Sequence, residues 1–281
     1  MISRRSFLAS AAALLPAAKA ATYPVPIGLE LYSLRDQADQ DLPGTLALAR
    51  QMGFEEVEVS SVHKRTAAAF RRLLDDAGLK ATSMMAEYAA LAKSPAAVAQ
   101  DAHAVGAGYV VAGTIPHRGK RLAVEDTKPA AATLNRAGEA LLASGLRLCY
   151  HTHGVEFSPA EGGTVFDTLA REMDSKYANF EMDIFWIVYA HQDPVAMIER
   201  YRGRFPLFHL KDIRKGTKLG GLPADVREEE SVVLGQGIVD FPAALRAARE
   251  TGALHYYIED EAFNAAEQIP GSLKYLKSIR L

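Results

Sequence analysis

The sequence predicts an α/β protein built as a single (β/α)8 TIM barrel. Eight short β-prone runs alternate with helical segments along the chain, which is the rhythm of consecutive βα units. The length of 281 residues suits one barrel of about 250 residues, and no linker or change of composition divides the chain. A doubly wound sheet is the alternative, but the phosphate-binding pattern GxGxxG follows none of the runs. One barrel is therefore favoured over two domains.

Each predicted strand is a short run of β-prone residues bounded by a turn or a helix end. Several runs follow a glycine that can end the preceding helix, as in QMG before Phe54 and VGAG before Tyr109. The helical segments at 94–105 and 129–143 each carry a proline suited to a first turn. The irregular stretch at 212–240 is as long as many functional loops. The predicted strands cover residues 27–32, 54–59, 79–85, 109–113, 146–151, 179–184, 206–211 and 255–259.

The first twenty residues, 1–20, have the three parts of an export signal. Arg4 and Arg5 precede a short apolar stretch, which ends in small residues around Lys19. The paired arginines resemble the twin-arginine type, and the apolar stretch is too short to span a bilayer. We therefore expect a mature barrel of residues 21–281 that is carried by the twin-arginine translocation machinery and is periplasmic or secreted.

Charge and cysteine content exclude several classes of protein. The chain has 32 basic and 34 acidic residues, and removal of residues 1–20 would leave 29 basic ones. This mildly acidic balance argues against nucleic acid as a partner. The lone Cys149 excludes a disulfide framework and a cysteine-rich zinc site. No later stretch is long and apolar enough to span a membrane, so the mature protein is not expected to be membrane-embedded.

Polar residues with metal-binding side chains cluster at the predicted strand ends. In a (β/α)8 barrel the carboxyl ends of the strands form the active face, so these side chains should converge there. Histidine, aspartate and glutamate together provide the mixed nitrogen and oxygen ligands of a divalent cation. The residues at these ends are Glu58, His117, His151, His153, Glu156, Asp183, His209, Lys211 and Glu259.

Structural explanations compete with a metal site at each position. A single histidine or acid near a strand end is often a hydrogen-bonded core residue or a helix cap. Asp183, His209 and Glu259, however, lie among apolar neighbours and would be costly to bury without partners. His103 and His255 are interpreted as structural. The acids expected to be solvated are Glu55, Glu56, Glu181, Glu228, Glu229, Glu230 and Asp260.

Several motifs together resemble one family, the xylose-isomerase-like barrels of sugar isomerases and epimerases, which also include endonucleases of the endonuclease IV type. The resemblance covers essentially the whole mature chain. It implies one divalent metal ion, often manganese, with Asp183, His209 and Glu259 as ligands. The matching segments are GLELYSLRD (28–36), GFEEVEV (53–59), YHTHGVEF (150–157), MDIFWIVYAHQDP (182–194), HLKD (209–212), LGQGIVDF (234–241) and YIED (257–260).

Strand five departs from the family pattern, because the place expected to hold a glutamate reads His151-Thr152-His153. Either His151 replaces that ligand or Glu156 reaches back from the following loop. Glu259 or His153 is the expected proton-transfer base, since an imidazole suits proton transfer near neutral pH.

The remaining predicted site residues would act on the substrate. Lys211 is expected to stabilise developing negative charge. Trp186 is either a platform for a sugar ring or a packing residue. Glu58 and His117 complete the predicted substrate-binding set.

The resemblance implies a metal-dependent sugar isomerase or epimerase that removes a proton next to a carbonyl and passes through an enediolate. Manganese is expected, with cobalt, zinc or magnesium as alternatives. The predicted export favours a non-phosphorylated or keto sugar as substrate. A keto-sugar lyase or dehydratase and a non-catalytic sugar-binding barrel are the main rivals. A phosphodiesterase of the endonuclease IV type is disfavoured by the acidic charge. The sequence does not indicate an oligomeric state.

Overall fold

The computed structural model describes residues 26–280, which form a closed barrel of eight parallel strands. Each strand pairs with its neighbour in sequence, and the first pairs with the last. The predicted single (β/α)8 TIM barrel is thereby confirmed. The barrel strands are β1 (Ile27–Glu30), β2 (Glu56–Val59), β3 (Lys80–Ala86), β4 (Tyr109–Ala112), β5 (Arg147–His151), β6 (Ala178–Asp183), β7 (Leu207–Leu210) and β8 (His255–Ile258).

Eleven α-helices lie among residues 26–280, and most of them cover the outside of the barrel. They are α1 (Arg35–Gln40), α2 (Leu42–Met52), α3 (Ala67–Ala77), α4 (Tyr88–Lys93), α5 (Pro95–Val105), α6 (Val124–Ala143), α7 (Val165–Glu172), α8 (Ile184–Tyr189), α9 (Pro194–Arg200), α10 (Phe241–Glu250) and α11 (Ala265–Ser278).

Local sequence signals explain where several helices begin and end. Gly53 and Gly106 end α2 and α5 with φ of 104° and 93°, a conformation that glycine adopts without strain. Pro95 opens α5 as predicted. Pro129 was expected in the first turn of its helix, and this is wrong, because α6 begins at Val124 and contains this proline in its interior. The carboxylate of Asp126 accepts the backbone N–H of Ala123, which caps the helix start five residues earlier than predicted.

Successive side chains of each strand point alternately into the barrel and toward the helices, and both faces are buried, as expected for parallel strands covered by helices. Outward-facing aromatic residues such as Phe180 and Phe208 pack under the helices. Inward-facing Cys149, Leu207 and Tyr257 belong to a small apolar cluster in the barrel interior. Polar and charged side chains lie above this cluster, toward the carboxyl ends of the strands. The barrel interior therefore has an apolar floor and a polar mouth.

The predictions of an export segment and of a chain without a membrane span both concern residues that lie wholly or partly outside the described range. The predicted export segment, residues 1–20, lies outside the described part of the chain. Within residues 26–280, none of the helices combines the length and the apolar character needed to cross a membrane.

Candidate metal centre and substrate cavity

A cavity of about 550 Å³ opens at the carboxyl ends of the barrel strands. The end of β5 contributes His151 and His153 to its wall, and the long segment at 212–240 contributes Pro223 and Ala224. Part of this long segment therefore lies at the carboxyl end of the barrel. The remaining lining residues are Glu30, Tyr32, Ser60, Met85, Ala86, Glu87, Gly113, Thr114, Trp186, His209, Glu259 and Glu261.

Asp183 presents one free carboxylate oxygen inside this polar mouth. It ends β6 and caps α8, where its Oδ1 accepts the backbone N–H groups of Phe185 at 2.8 Å and Trp186 at 3.4 Å. Its Oδ2 is buried and has no hydrogen-bond partner. Burial raises the pKa of Asp183 to about 8. A buried carboxylate oxygen without a donor is suited to a cation, which would keep the group ionised.

His209 and Glu259 complete a three-residue group with Asp183. Their candidate ligand atoms all lie within 4.8 Å of one another, and His209 Nδ1 is 3.2 Å from Glu259 Oε2. Burial opposes ionisation of Glu259, but the nearby charges of Lys211 and His209 outweigh it and hold its pKa well below the usual range. One nitrogen and two carboxylate groups could together hold a divalent metal ion. The residues present therefore fit the ion that the family resemblance implies.

The structure places His151, rather than Glu156, beside this group. His151 Nε2 is 3.8 Å from Asp183 Oδ2, and desolvation holds the pKa of His151 well below its usual value, which keeps the imidazole neutral. Glu156 is buried, and its Oε1 accepts the hydroxyl of Tyr150 and, at 3.4 Å, the backbone N–H of His153. Geometry thus favours His151 as the additional ligand.

His153 lies at the cavity wall above the candidate metal ligands. Its ring centroid is 4.5 Å from that of His151 and 6.2 Å from that of Trp186. Desolvation lowers the pKa of His153 to about 4, so the ring is neutral near pH 7 and can accept a proton. Trp186 lines the cavity, is 4% exposed and packs on Phe185, so the packing role left open for it is present.

Lys211 is buried behind the cavity wall rather than exposed in it. Its ammonium group contacts Glu261 and lies 3.9 Å from Glu259. It also lies over the rings of Phe185 at 4.7 Å and Trp186 at 5.1 Å. Burial disfavours its charge, but the carboxylates of Glu261 and Glu259 outweigh this and raise the pKa of Lys211 above its usual value. The side chain therefore stays protonated.

The structure does not bring two predicted substrate-binding residues to the cavity wall. His117 is exposed, its Nδ1 lies 2.8 Å from the carbonyl oxygen of Gly119, and it lines a separate cavity of about 260 Å³. Glu58 is fully buried below the candidate metal ligands. Its Oε1 lies 2.7 Å from His209 Nε2, and its other oxygen accepts the hydroxyl of Ser83. Glu58 therefore contacts a candidate ligand instead of a substrate.

Sequence reasoning missed several acidic residues of this site. Glu181 is fully buried and bonded to His151, so the expectation that it is solvated is wrong. Its position two residues before Asp183 was the available signal, because alternate strand residues face the same side. Glu30 lines the cavity with a buried, unpartnered Oε2, and Glu261 pairs with Lys211.

Asp260 and Glu230 were also expected to be solvated, and this is wrong, because they are 2% and 8% exposed. Asp260 accepts the backbone N–H of Ala262, and Glu230 accepts that of Arg227. Both carboxylates therefore serve the loops in which they lie. His103 and His255 lie outside the cavity wall and bond to a backbone carbonyl and to Glu56, in line with structural roles.

Comparison with known proteins supports this architecture. Residues 46–279 match the model of the xylose isomerase-like TIM barrel family. The chain is 31% identical to an inosose dehydratase of Clostridium beijerinckii over 127 residues, which is 42% of this chain and 41% of that protein. The chain spans about half the length of the curated relatives it matches.

Solved structures align over a larger share of the chain. A sugar phosphate isomerase/epimerase from Parabacteroides distasonis superposes with a TM-score of 0.75 and 25% identity, covering 93% of this chain and 96% of that one. The IOLI protein, solved with a zinc atom, gives a TM-score of 0.71 at 13% identity over 92% of this chain and 99% of that one. The second likeness concerns the fold alone. Because the family model covers most of the sequence, the chain belongs to the xylose isomerase-like TIM barrel family.

Proposed function

We propose that this protein is a divalent-metal-dependent enzyme that removes a proton next to the carbonyl of a non-phosphorylated keto sugar. The observation that carries the proposal is the unpartnered Oδ2 of Asp183, which lies within reach of His209 and Glu259 below an open cavity. His151 would provide the fourth side chain. A bound divalent ion would polarise the substrate carbonyl and stabilise the negative charge that develops on proton loss.

Manganese is the proposed ion, with cobalt, zinc and magnesium as alternatives. Two imidazoles and two carboxylates suit manganese, cobalt and zinc better than magnesium, which prefers oxygen ligands. The zinc atom in the related IOLI structure supports a divalent ion in this fold.

The side chains of this site have distinct roles in the proposed reaction. His153 is neutral and lines the cavity, so it is the proposed base. Glu259 is the alternative base, although its proximity to His209 favours a ligand role. Lys211 stays protonated and adds positive charge beside Glu259, which keeps that carboxylate ionised. Trp186 would cover one apolar face of the sugar.

The charge of the cavity wall supports a substrate without phosphate. Within residues 26–280, no arginine or lysine lines the cavity, whereas Glu30, Glu87, Glu259 and Glu261 do. A phosphate group would find no arginine or lysine side chain on the described part of this wall to pair with, and the carboxylates of the wall would oppose its negative charge. Hydroxyl groups of an uncharged sugar can instead donate hydrogen bonds to these acids.

Two products can follow the same proton removal. Return of the proton to the former carbonyl carbon gives isomerisation, and its return to the original carbon from the opposite face gives epimerisation; this pair is the first candidate and is supported by the Parabacteroides relative. Loss of the hydroxyl group on the next carbon, as water, gives dehydration instead. The inosose dehydratases among the curated relatives favour this second candidate.

Deuterium exchange tests the shared step before the product is known. Protein loaded with Mn²⁺ would be incubated in D₂O with a keto-inositol and a panel of ketohexoses, and followed by nuclear magnetic resonance. We expect deuterium at the carbon next to the carbonyl of at least one substrate, and then either an epimer or an unsaturated product. The Asp183→Asn variant should lose this exchange. Binding of a sugar without exchange would indicate a non-catalytic barrel and refute the proposal.

A further inference from the structure

Two buried carboxylates lie directly beneath the histidines of the candidate metal centre. Glu58 and Glu181 are both 0% exposed and extend into the barrel from β2 and β6. Glu181 Oε2 lies 2.8 Å from His151 Nδ1, and Glu58 Oε1 lies 2.7 Å from His209 Nε2. Glu181 Oε2 is also 3.3 Å from His209 Nε2. Each imidazole thus has a carboxylate on the side facing the barrel floor.

Each contact engages one ring nitrogen and leaves the other nitrogen toward the candidate ligands. In His151, Glu181 engages Nδ1, and Nε2 lies 3.8 Å from Asp183 Oδ2. In His209, Glu58 engages Nε2, and Nδ1 lies 3.2 Å from Glu259 Oε2. A metal ion held by Nδ1 and Glu259 would replace a proton shared between them, since metal binding releases protons from its ligands.

The carboxylates are held by barrel strands and not by loops. Glu181 and Asp183 lie two residues apart on β6, so one strand positions both a ligand and the partner of another ligand. The hydroxyl of Ser83 on β3 holds the second oxygen of Glu58. Groups on rigid strands keep a fixed orientation, which is the requirement for preorganised metal ligands.

We propose that Glu181 and Glu58 are positioning residues that orient His151 and His209 for metal binding. This inference rests on the proposed metal-dependent function, because it assigns no role to the carboxylates without a bound ion. Carboxylate partners of metal-bound histidines commonly contribute about 10–100-fold in metal affinity. Glu181 is the more diagnostic of the two, since His151 has no other hydrogen-bonding carboxylate within 3 Å in residues 26–280.

A double-mutant cycle on metal affinity separates positioning from a general effect of buried charge. Dissociation constants for Co²⁺ and Zn²⁺ would be measured by competition with a chromogenic chelator in wild type, Glu181→Gln, His151→Ala and the double variant. The visible spectrum of bound Co²⁺ would report the ligand geometry. Glu230→Gln is the matched control, because Glu230 is a buried carboxylate outside the cluster. Thermal unfolding of each metal-free variant checks that it folds.

If Glu181 acts through His151, Glu181→Gln should weaken metal binding about 10–100-fold and alter the Co²⁺ spectrum in the wild-type background. In the His151→Ala background the same change should cost less than about threefold. Glu230→Gln should leave the affinity unchanged. If Glu181→Gln does not fold, Glu181→Asp takes its place in the cycle, because it keeps the charge but withdraws the carboxylate from Nδ1.

Two other results have different meanings. An equal loss in both backgrounds, or no loss in either, overturns the positioning of His151 by Glu181 while the metal-dependent function stands. Failure of the wild-type protein to bind any divalent ion refutes the proposed function and this inference with it.

Discussion

At the scale of single residues, burial decides what two histidines of the site, His151 and His153, can do. His151 and His153 are kept neutral because desolvation lowers their pKa values, so one can bind a metal ion and the other can accept a proton. His117 is exposed to solvent and bonds to a nearby backbone carbonyl. Three histidines at predicted strand ends thus have different environments, and only two of them line the cavity.

Replacement of His153 should separate catalysis from metal binding. We expect His153→Ala to slow deuterium exchange into substrate by about a hundredfold, because a positioned base contributes about that much or more. The metal content should remain that of the wild type, since His153 is outside the group formed by Asp183, His209 and Glu259. Exchange kinetics and elemental analysis of the same preparation check both parts. An unchanged exchange rate would move the base assignment to Glu259.

Cys149 should be chemically inert in the folded protein. Its side chain is 0% exposed, and burial raises the pKa of the thiol well above its usual value. The reactive thiolate is therefore scarce at neutral pH and forms only as the pH rises beyond the ordinary thiol range. Alkylation with iodoacetamide near pH 8, read by intact mass spectrometry, should give no adduct in the native protein and one adduct in urea. Rapid labelling of native protein would contradict this burial.

At the scale of secondary-structure elements, the backbone of α6 at Gly138 lies very close to the backbone that leads into β6. A Cβ atom added at Gly138 would lie 2.2 Å from the carbonyl oxygen of Tyr177, just before β6. Helix propensity alone predicts that Gly138→Ala stabilises the protein by about 1 kcal/mol. We expect instead a loss of about 1–3 kcal/mol, because the added carbon displaces backbone.

Chemical denaturation of Gly138→Ala and of a control, Ala140→Gly, checks this expectation. Ala140 is exposed on the same helix, so its replacement should cost about 1 kcal/mol through propensity alone. Both variants should therefore be less stable than the wild type. An increase in stability for Gly138→Ala would show that α6 does not approach the Tyr177 carbonyl as described.

The strands and their order could be predicted because each is a short run of β-prone residues, often preceded by a glycine that ends a helix. Asp183, His209 and Glu259 could be found because acids and histidines among apolar neighbours need partners. Glu181 was missed although strand periodicity places it on the same face as Asp183. His117 lies away from the cavity because of the path of its loop. Lys211 pairs with Glu261 because the segments that follow β7 and β8 pack against each other. Neither is encoded in local sequence.

At the scale of the whole molecule, the barrel gathers ligands that are distant in sequence into one buried site. Such a site exists only in the folded chain, which suits an export route that carries folded proteins. We propose export through the twin-arginine machinery, as residues 1–20 indicate. The twin arginines, Arg4 and Arg5, are the part of that segment on which the route depends.

Export can be tested by cell fractionation in a bacterial host with an active twin-arginine system. The wild-type chain should accumulate outside the cytoplasm as a product shortened near residue 20. The double variant Arg4→Lys, Arg5→Lys should remain in the cytoplasm at full length, because paired lysines keep the charge but lose the motif. Export of the double variant at the wild-type level would refute the proposed route.

The central claim is that Asp183, His209 and Glu259 hold one divalent metal ion, and metal content tests it most directly. Protein comprising residues 21–281 would be purified without chelator or nickel affinity resin and analysed by elemental mass spectrometry. Asp193→Asn is the matched control for Asp183→Asn, because Asp193 caps α9 through backbone N–H groups as Asp183 caps α8. We expect about one equivalent of manganese, cobalt, zinc or magnesium in the wild type and the control, and none in Asp183→Asn or His209→Ala. Wild-type protein that contains no metal and takes none up from a mixture of divalent ions would contradict the account.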